Sequence, residues 1–135
     1  MIRAMSNNWT HFRFRRGWLT ASLLCMIFVL LLTHIPHQAL PKILQENMLD
    51  KVEHVVAYGL TAFLFLQALP NPVHPALPVI GLLVLGAIGV LDEVTQPLVN
   101  RYASVWDYAS DLVGILLACM IFLVKKRLGL DTAAS

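Results

Sequence analysis

Polar side chains that could do chemistry occur in three short stretches of an otherwise apolar sequence. Within each stretch they recur at steps of four residues, the spacing that places side chains on one face of a helix. The stretches contain Asp50, His54 and Tyr58; Asp92 and Gln96; and Asp107 and Asp111. Because charged groups beside apolar segments are costly to place in lipid, these stripes mark a candidate functional site.

A histidine among carboxylates suits proton transfer or the binding of a divalent cation. His54 is the only histidine inside a predicted span and close to acidic residues. It is a candidate general acid–base or metal ligand, and the alternative is a structural hydrogen bond to Asp50 or Glu93. Asp107 and Asp111 either belong to the same site or stabilise a helix start. The other histidines, which we expect at the surface or membrane interface, are His11, His34, His37 and His74.

Two cationic side chains are candidate binding groups for an anion. The planar guanidinium of Arg101 can bind a phosphate or carboxylate through two hydrogen bonds, or alternatively form a salt bridge to Asp107 or Asp92. Lys51 could contact an anionic headgroup or an undecaprenyl-type phosphate, or simply extend toward the membrane surface.

Asp92 and the adjacent Glu93 point about 100° apart on a helix. We therefore expect one of them to face the pocket and the other to face Arg101 or the interface.

The composition is that of a polytopic membrane protein. Of 135 residues, 58% are hydrophobic and only 13% are charged, whereas soluble domains have roughly 25% charged residues. No stripe of basic and aromatic residues indicates nucleic-acid binding. Cys25 and Cys119 lie inside apolar segments without metal-ligand spacing, so we expect them to be small buried or lipid-facing side chains.

Apolar segments and turn signals predict four transmembrane helices in one compact all-α bundle. The predicted helices cover residues 17–35, 50–69, 76–96 and 106–127, between a basic N-terminus (1–16) and a short tail (128–135). The first segment is interpreted as a retained anchor rather than a signal peptide, since no small-residue cleavage site follows it. Gly81, Gly86 and Gly89 allow close helix approach, so we expect the third helix to lie centrally.

Charge distribution predicts that both termini are cytoplasmic. Seven of the ten basic residues lie near the termini, and basic flanks stay inside. An even number of spans then brings the polar stretches to the outer edge of the membrane, where Gln96 would support its neighbours by hydrogen bonding. The predicted pocket residues are Asp50, Lys51, His54, Tyr58, Asp92, Glu93, Gln96, Arg101, Asp107 and Asp111.

The three stretches resemble two motif blocks of the VanZ-like family of small bacterial integral membrane proteins. Asp50-Lys51-x-x-His54-x-x-x-Tyr58 resembles the opening motif of the family. Its second block is similar to Asp92-Glu93-x-x-Gln96 followed by Arg101, Ser104, Asp107, Asp111 and Gly114. The resemblance covers about residues 50–118, and Val99-Asn100 stands where family members often have Pro-Gly.

The resemblance implies a multi-pass protein of the bacterial cytoplasmic membrane that contributes to teicoplanin-type glycopeptide resistance. The expected partners are membrane lipids and a lipid-linked or peptidoglycan-related ligand, recognised without catalysis. No cofactor or metal is predicted, and the sequence leaves the oligomeric state open. A second hypothesis is a membrane hydrolase or transferase acting on lipid-linked precursors, although no dedicated catalytic motif is present. A small transporter is a third hypothesis, disfavoured because the charges avoid the midplane.

Overall fold

The computed structural model of the protein describes residues 13–39, 47–71 and 73–130, which form four α-helices. These are α1 (Arg16–Thr33), α2 (Asn47–Ala68), α3 (Ala76–Thr95) and α4 (Val105–Arg127), with short 3-10 turns at His37–Ala39 and Gln96–Val99. The described residues contain no strand. The all-α prediction is confirmed, and the four helices match the predicted segments closely. Most of the basic N-terminus and of the tail, including Arg3, His11 and Asp131, lies outside the described ranges.

Local sequence signals explain where the helices begin and end. Pro97 has no backbone N–H to continue the α-helical hydrogen bonds, and α3 gives way to a 3-10 turn at Gln96, although Gln96 itself keeps right-handed helical angles (φ −54°, ψ −38°). The side chain of Ser104 accepts a hydrogen bond of 3.3 Å from the backbone N–H of Asp107, which caps the start of α4. Three basic residues fill the last turn of α4, where they complement the negative end of the helix dipole.

The surface of the helix bundle is apolar and part of its interior is polar. Three helices are long and apolar enough to cross a membrane: α1, α3 extended to Val99, and α4. Large apolar side chains such as Leu31, Leu83 and Leu116 are more than three-fifths exposed. The buried polar residues are Ser22, His54, Thr61, Gln67, Asp92, Glu93, Gln96, Asp107 and Asp111. This distribution suits a protein whose surroundings are lipid.

The prediction that the glycine-bearing third helix is central is wrong, because α2 occupies that position. α2 packs between α1 and α4, while α3 packs mainly on α4. Tyr58, Ala62 and Leu66 of α2 are almost completely buried, and Ser22 of α1 donates a 3.1 Å hydrogen bond to the carbonyl oxygen of Thr61. α2 also lacks an uninterrupted apolar stretch as long as those of the other three helices, since charged residues occupy its first turns.

Glycines make the closest helix crossing, which joins α2 to α4. A Cβ on Gly114 would overlap the carbonyl oxygen of Val55, and a Cβ on Gly59 would lie 3.2 Å from the carbonyl oxygen of Gly114. The two backbones are therefore in direct contact, as small residues permit between membrane helices. Because His54 and Asp111 lie within a turn of this crossing, it brings them within reach of each other.

Candidate functional site

The predicted polar residues meet at one end of the bundle. The ends of α1 and α3 and the starts of α2 and α4 lie together there, joined by side-chain hydrogen bonds. We call the ten predicted residues the polar cluster. Its buried members are His54, Tyr58, Asp92, Glu93, Gln96, Asp107 and Asp111; its half-buried members are Asp50, Lys51 and Arg101. The predicted convergence of three separate stretches is thus confirmed.

His54 and Asp111 form the innermost pair of the polar cluster. His54 Nδ1 lies 2.8 Å from Asp111 Oδ1, and both side chains are at least 97% buried. The structural alternative predicted a hydrogen bond from His54 to Asp50 or Glu93, but the imidazole is bonded to Asp111 instead. The second carboxylate oxygen of Asp111 is buried without a hydrogen-bond partner among the described residues. It faces Gly89, where a Cβ would lie only 3.1 Å from it.

Asp92 links α3 to both α1 and α2. Its Oδ1 accepts a 2.7 Å hydrogen bond from the hydroxyl of Thr33 and lies 3.4 Å from His34 Nδ1. Its Oδ2 accepts a longer bond of 3.4 Å from the hydroxyl of Tyr58. Asp92 therefore has a structural role in holding three helices together, whatever else it does.

Glu93 faces the α3–α4 connection. Its Oε2 accepts a 2.7 Å hydrogen bond from the backbone N–H of Ser104, and its Oε1 accepts one of 3.3 Å from Gln96. The adjacent acids do point to different partners, as the helical geometry requires. However, the expectation that one of them faces Arg101 or the interface is wrong, because both are buried and neither bonds to Arg101.

Arg101 and Lys51 each pair with an acid across helices. Arg101 donates a 2.9 Å hydrogen bond to Asp50, rather than forming the bridge to Asp107 or Asp92 that was the alternative interpretation. Lys51 Nζ lies 3.3 Å from Asp107. The residue before the arginine, Asn100, has a left-handed backbone (φ 59°). Asparagine and glycine tolerate this conformation best, so the turn that a glycine would make is retained here.

Two overlapping sets of side chains have the composition of a cation site. One ligand atom each from His54, Glu93 and Asp111 lie within 4.8 Å of one another, and the same holds for Asp50, His54 and Asp107. Carboxylate and imidazole groups bind divalent cations such as Zn²⁺ or Mn²⁺. The geometry is therefore compatible with proton transfer between His54 and Asp111 and with metal-assisted chemistry.

An apolar groove of about 450 Å³ between α1 and α2 ends at the polar cluster. Its apolar walls are Cys25, Phe28, Val29, Leu32, Val52, Val56, Ala57 and Leu60, and its polar end is Thr33, Asp50, Glu53, His54 and Arg101. Phe28 and Val56 are about three-fifths exposed, so the groove opens on the lateral surface of the bundle. An amphipathic molecule could place its apolar part in the groove and its polar part against Arg101.

Sequence reasoning missed the contribution of α1. His34 was expected at the surface or interface, but it is half-buried, and its Nε2 lies 2.9 Å from the hydroxyl of Thr95. The signal was the adjacent polar pair Thr33-His34 at the end of an apolar segment. Of the other histidines, His74 is exposed as predicted, while the side chains of His11 and His37 lie outside the part of the chain that the structure describes. Cys25 and Cys119 are half-buried.

No protein family, curated protein or solved structure matches the chain. The function is therefore argued from the geometry of the polar cluster and the groove, together with the motifs in the sequence.

Proposed function

We propose that the protein is a VanZ-like membrane protein of the bacterial cytoplasmic membrane that binds a lipid-linked envelope molecule at the outer leaflet. One observation carries the proposal: an apolar groove, open at the side of the bundle, ends at Arg101 and the polar cluster. That combination suits a ligand with an apolar chain and an anionic headgroup. The VanZ-like motif residues at 50–58 and 92–111 all contribute to this end of the bundle, which supports the same assignment.

α2 is the fourth span in this proposal. Its 22 residues, at about 1.5 Å each, extend roughly 33 Å, enough for a hydrocarbon core about 30 Å thick. The face that it turns outward is apolar: Val52, Val56 and Leu60 are about half exposed or more. Its charged residues are confined to the first two turns, where they bind partners on neighbouring segments.

The orientation follows from the basic residues. Arg15 at the start of α1 and Lys126 at the end of α4 lie at the end of the bundle opposite the polar cluster. Basic flanks remain in the cytoplasm, so the polar cluster would face the outer leaflet. A ligand assembled or displayed on that leaflet could enter the groove laterally, without crossing the protein.

Ligand recognition would involve an exchange of partners at Arg101. The guanidinium now donates to Asp50 at 2.9 Å and is about one-tenth exposed. A phosphate reaching the groove end would offer a second acceptor for the remaining N–H groups, in the bidentate arrangement that guanidinium favours. Lys51 and Asp107 form a second ion pair next to this one, since carboxylate oxygens of Asp50 and Asp107 lie within 4.8 Å of each other.

The direct test is binding of an undecaprenyl phosphate by the purified full chain, measured by native mass spectrometry. Arg101→Gln should weaken binding about 10- to 100-fold, since a hydrogen bond to a charged group contributes about 1.5–3 kcal/mol. Arg101→Lys should have an intermediate effect because it keeps the charge and loses the planar donor geometry. The matched control is Tyr102→Phe, a neighbouring side chain that is 90% exposed and does not line the groove. Equal affinities in all four proteins would refute the proposal.

The proposal also predicts how substitutions in the polar cluster change teicoplanin resistance in cells. Arg101→Gln and His54→Ala should each abolish any teicoplanin resistance that the protein confers, compared at equal membrane levels that are matched by immunoblotting. Full resistance in both variants at normal protein levels would remove the polar cluster from the function.

A membrane hydrolase or transferase is the second candidate, favoured by the arrangement of His54, Glu93 and Asp111. Their ligand atoms lie within 4.8 Å of one another in a buried setting. They could exchange a proton or hold a divalent cation that polarises a phosphate. Incubation of the purified protein with an undecaprenyl diphosphate, with and without Mn²⁺, separates the two candidates. Turnover that Glu93→Gln abolishes would favour the enzyme, and binding without turnover would favour recognition.

A further inference from the structure

A second cavity, of about 230 Å³, lies at the basic end of the bundle, far from the polar cluster. It is bounded by the last turn of α2, the α2–α3 connection and the end of α4. Two cations line it, Arg15 and Lys126, and no carboxylate of the described residues does. We call it the basic-end cavity.

A buried donor in this cavity has no partner. Gln67 is only 7% exposed, and its Nε2 has no hydrogen-bond partner among the described residues. A buried amide left without a partner is destabilising, so buried polar groups are normally paired. Gln67 lines the cavity, which makes a ligand oxygen there its natural acceptor.

Backbone contacts position the segments that carry the two cations, and the guanidinium of Arg15 lies 5.9 Å from the centre of the Trp18 ring. The backbone N–H of Arg15 donates to the carbonyl oxygen of Ala68 at 2.9 Å, which fixes the start of α1 against the end of α2. The carbonyl oxygen of Lys126 accepts from Gly129, whose positive φ of 67° turns the chain at the end of α4. The cations and the amide therefore surround one space from three helices.

We propose that the basic-end cavity binds a phosphate group, carried by an anionic phospholipid of the adjacent leaflet or free in solution. Arg15 and Lys126 supply positive charge, and Gln67 donates a hydrogen bond from the cavity wall. Apart from the amide of Asn71, the remaining side chains of the lining are apolar, among them Leu66 and Phe122, so a glycerol backbone could pack against them. Anionic lipids attract basic segments at membrane surfaces, and this cavity adds a specific donor to that general attraction. The proposal does not depend on the function assigned to the polar cluster.

The test uses the full chain purified in a neutral detergent, with thermal unfolding as the readout. Short-chain phosphatidylglycerol should raise the midpoint in a saturable way, because a ligand that binds only the folded state stabilises it. The same diacylglycerol without a phosphate should not. Inorganic phosphate forms the second arm: stabilisation by phosphate without stabilisation by the lipid identifies a soluble ligand. No shift with either probe at about 10 mM would overturn the proposal.

Matched variants separate the cavity from general electrostatics. Lys126→Gln should weaken binding about tenfold, as expected for losing a charged hydrogen-bond partner. Lys125→Gln removes the same charge one residue away, where the ammonium lies over the ring of Phe63 and does not line the cavity; it should change the affinity less than twofold. Gln67→Leu should weaken binding several-fold while keeping the volume of the side chain. Equal losses of affinity in Lys125→Gln and Lys126→Gln would contradict a specific site. If Gln67→Leu fails to fold, the comparison of the two lysine variants is the test.

Discussion

His54 and Asp111 share a 2.8 Å hydrogen bond inside the bundle, and both side chains are almost completely buried. Such a pair is stable only while both members are present, since a buried polar group left alone incurs its full desolvation cost. Part of this cost is present in the native protein, because the second carboxylate oxygen of Asp111 is buried without a hydrogen-bond partner among the described residues. The space that this oxygen occupies exists because residue 89 is a glycine.

The first residue-scale prediction concerns this pair. Asp111→Ala should lower the free energy of unfolding by about 1–3 kcal/mol, because it leaves the buried imidazole of His54 without its acceptor. The measurement is SDS-induced unfolding of the protein in mixed micelles. Ser110→Ala is the matched control, since its half-buried hydroxyl bonds only to the backbone of its own helix and its loss should change stability by less than about 0.5 kcal/mol. Equal effects at both positions would mean that the pair has no special role.

A second residue-scale prediction concerns Gly89. Gly89→Ala would place a methyl group against the Asp111 carboxylate and against the ring of Tyr108. We expect it to lower stability or displace the carboxylate, despite the better helix propensity of alanine. The reference is Gly86→Ala on the same helix, where the nearest atom would be 3.8 Å away. The contacts would be unimportant if the two variants unfolded at the same SDS concentration.

At the residue scale, the sequence identifies the members of the polar cluster better than it identifies their hydrogen-bond partners. Steps of four within a helix select the residues of one face, and seven members of the polar cluster follow this spacing. The other three, Lys51, Glu93 and Arg101, are charged residues close to these stripes in the sequence. Which acid binds His54 depends on the lateral register of α2 against α4, which local spacing does not encode. The same limit explains why Asp50, rather than Asp107 or Asp92, pairs with Arg101.

At the scale of helices, the crossing of α2 and α4 positions the site. Gly59 and Gly114 let the two backbones touch, and the polar side chains one turn away then fall into contact. Glycines in α3 suggested a central α3 from sequence, yet three glycines in one helix do not reveal whether a facing helix approaches them. The facing glycine in α2 was the missing information, and only the three-dimensional packing pairs it with Gly114.

The prediction at this scale is that Gly114 tolerates no side chain. Gly114→Ala would drive its Cβ into the carbonyl oxygen of Val55 and should lower the free energy of unfolding by about 1–3 kcal/mol. Gly86→Ala again provides the control, because its Cβ would make only ordinary van der Waals contacts, the nearest at 3.8 Å, and alanine favours a helix. SDS-induced unfolding measures both. Unchanged stability of Gly114→Ala would mean that α2 and α4 do not cross as closely as described.

At the scale of the whole molecule, the composition of the sequence is enough to predict a helical membrane protein. It is less able to indicate whether α2 is a fourth span, as we propose, because a helix that packs between other helices needs fewer apolar residues. The groove between α1 and α2 was also beyond sequence reasoning, since it depends on how two helices diverge at one end. Both features arise from packing rather than from any single segment.

The proposed topology predicts which reporter fusions are active in the periplasm. With four spans and cytoplasmic termini, an alkaline phosphatase fusion after residue 100 should be active in the periplasm, and a fusion after residue 73 should be inactive. Quantitative enzyme activity, normalised to fusion protein level, measures this. An active fusion at residue 73 would reverse the orientation and move the polar cluster to the cytoplasmic leaflet.

The central claim is that the groove and Arg101 together bind a lipid-linked ligand. The most direct measurement is an experimental structure of the full chain in nanodiscs that retain native bacterial lipids. The account predicts elongated density along the groove between α1 and α2, with a phosphate-sized feature within hydrogen-bond distance of Arg101. A groove filled by protein side chains, or a lipid density whose headgroup lies away from Arg101, would contradict it.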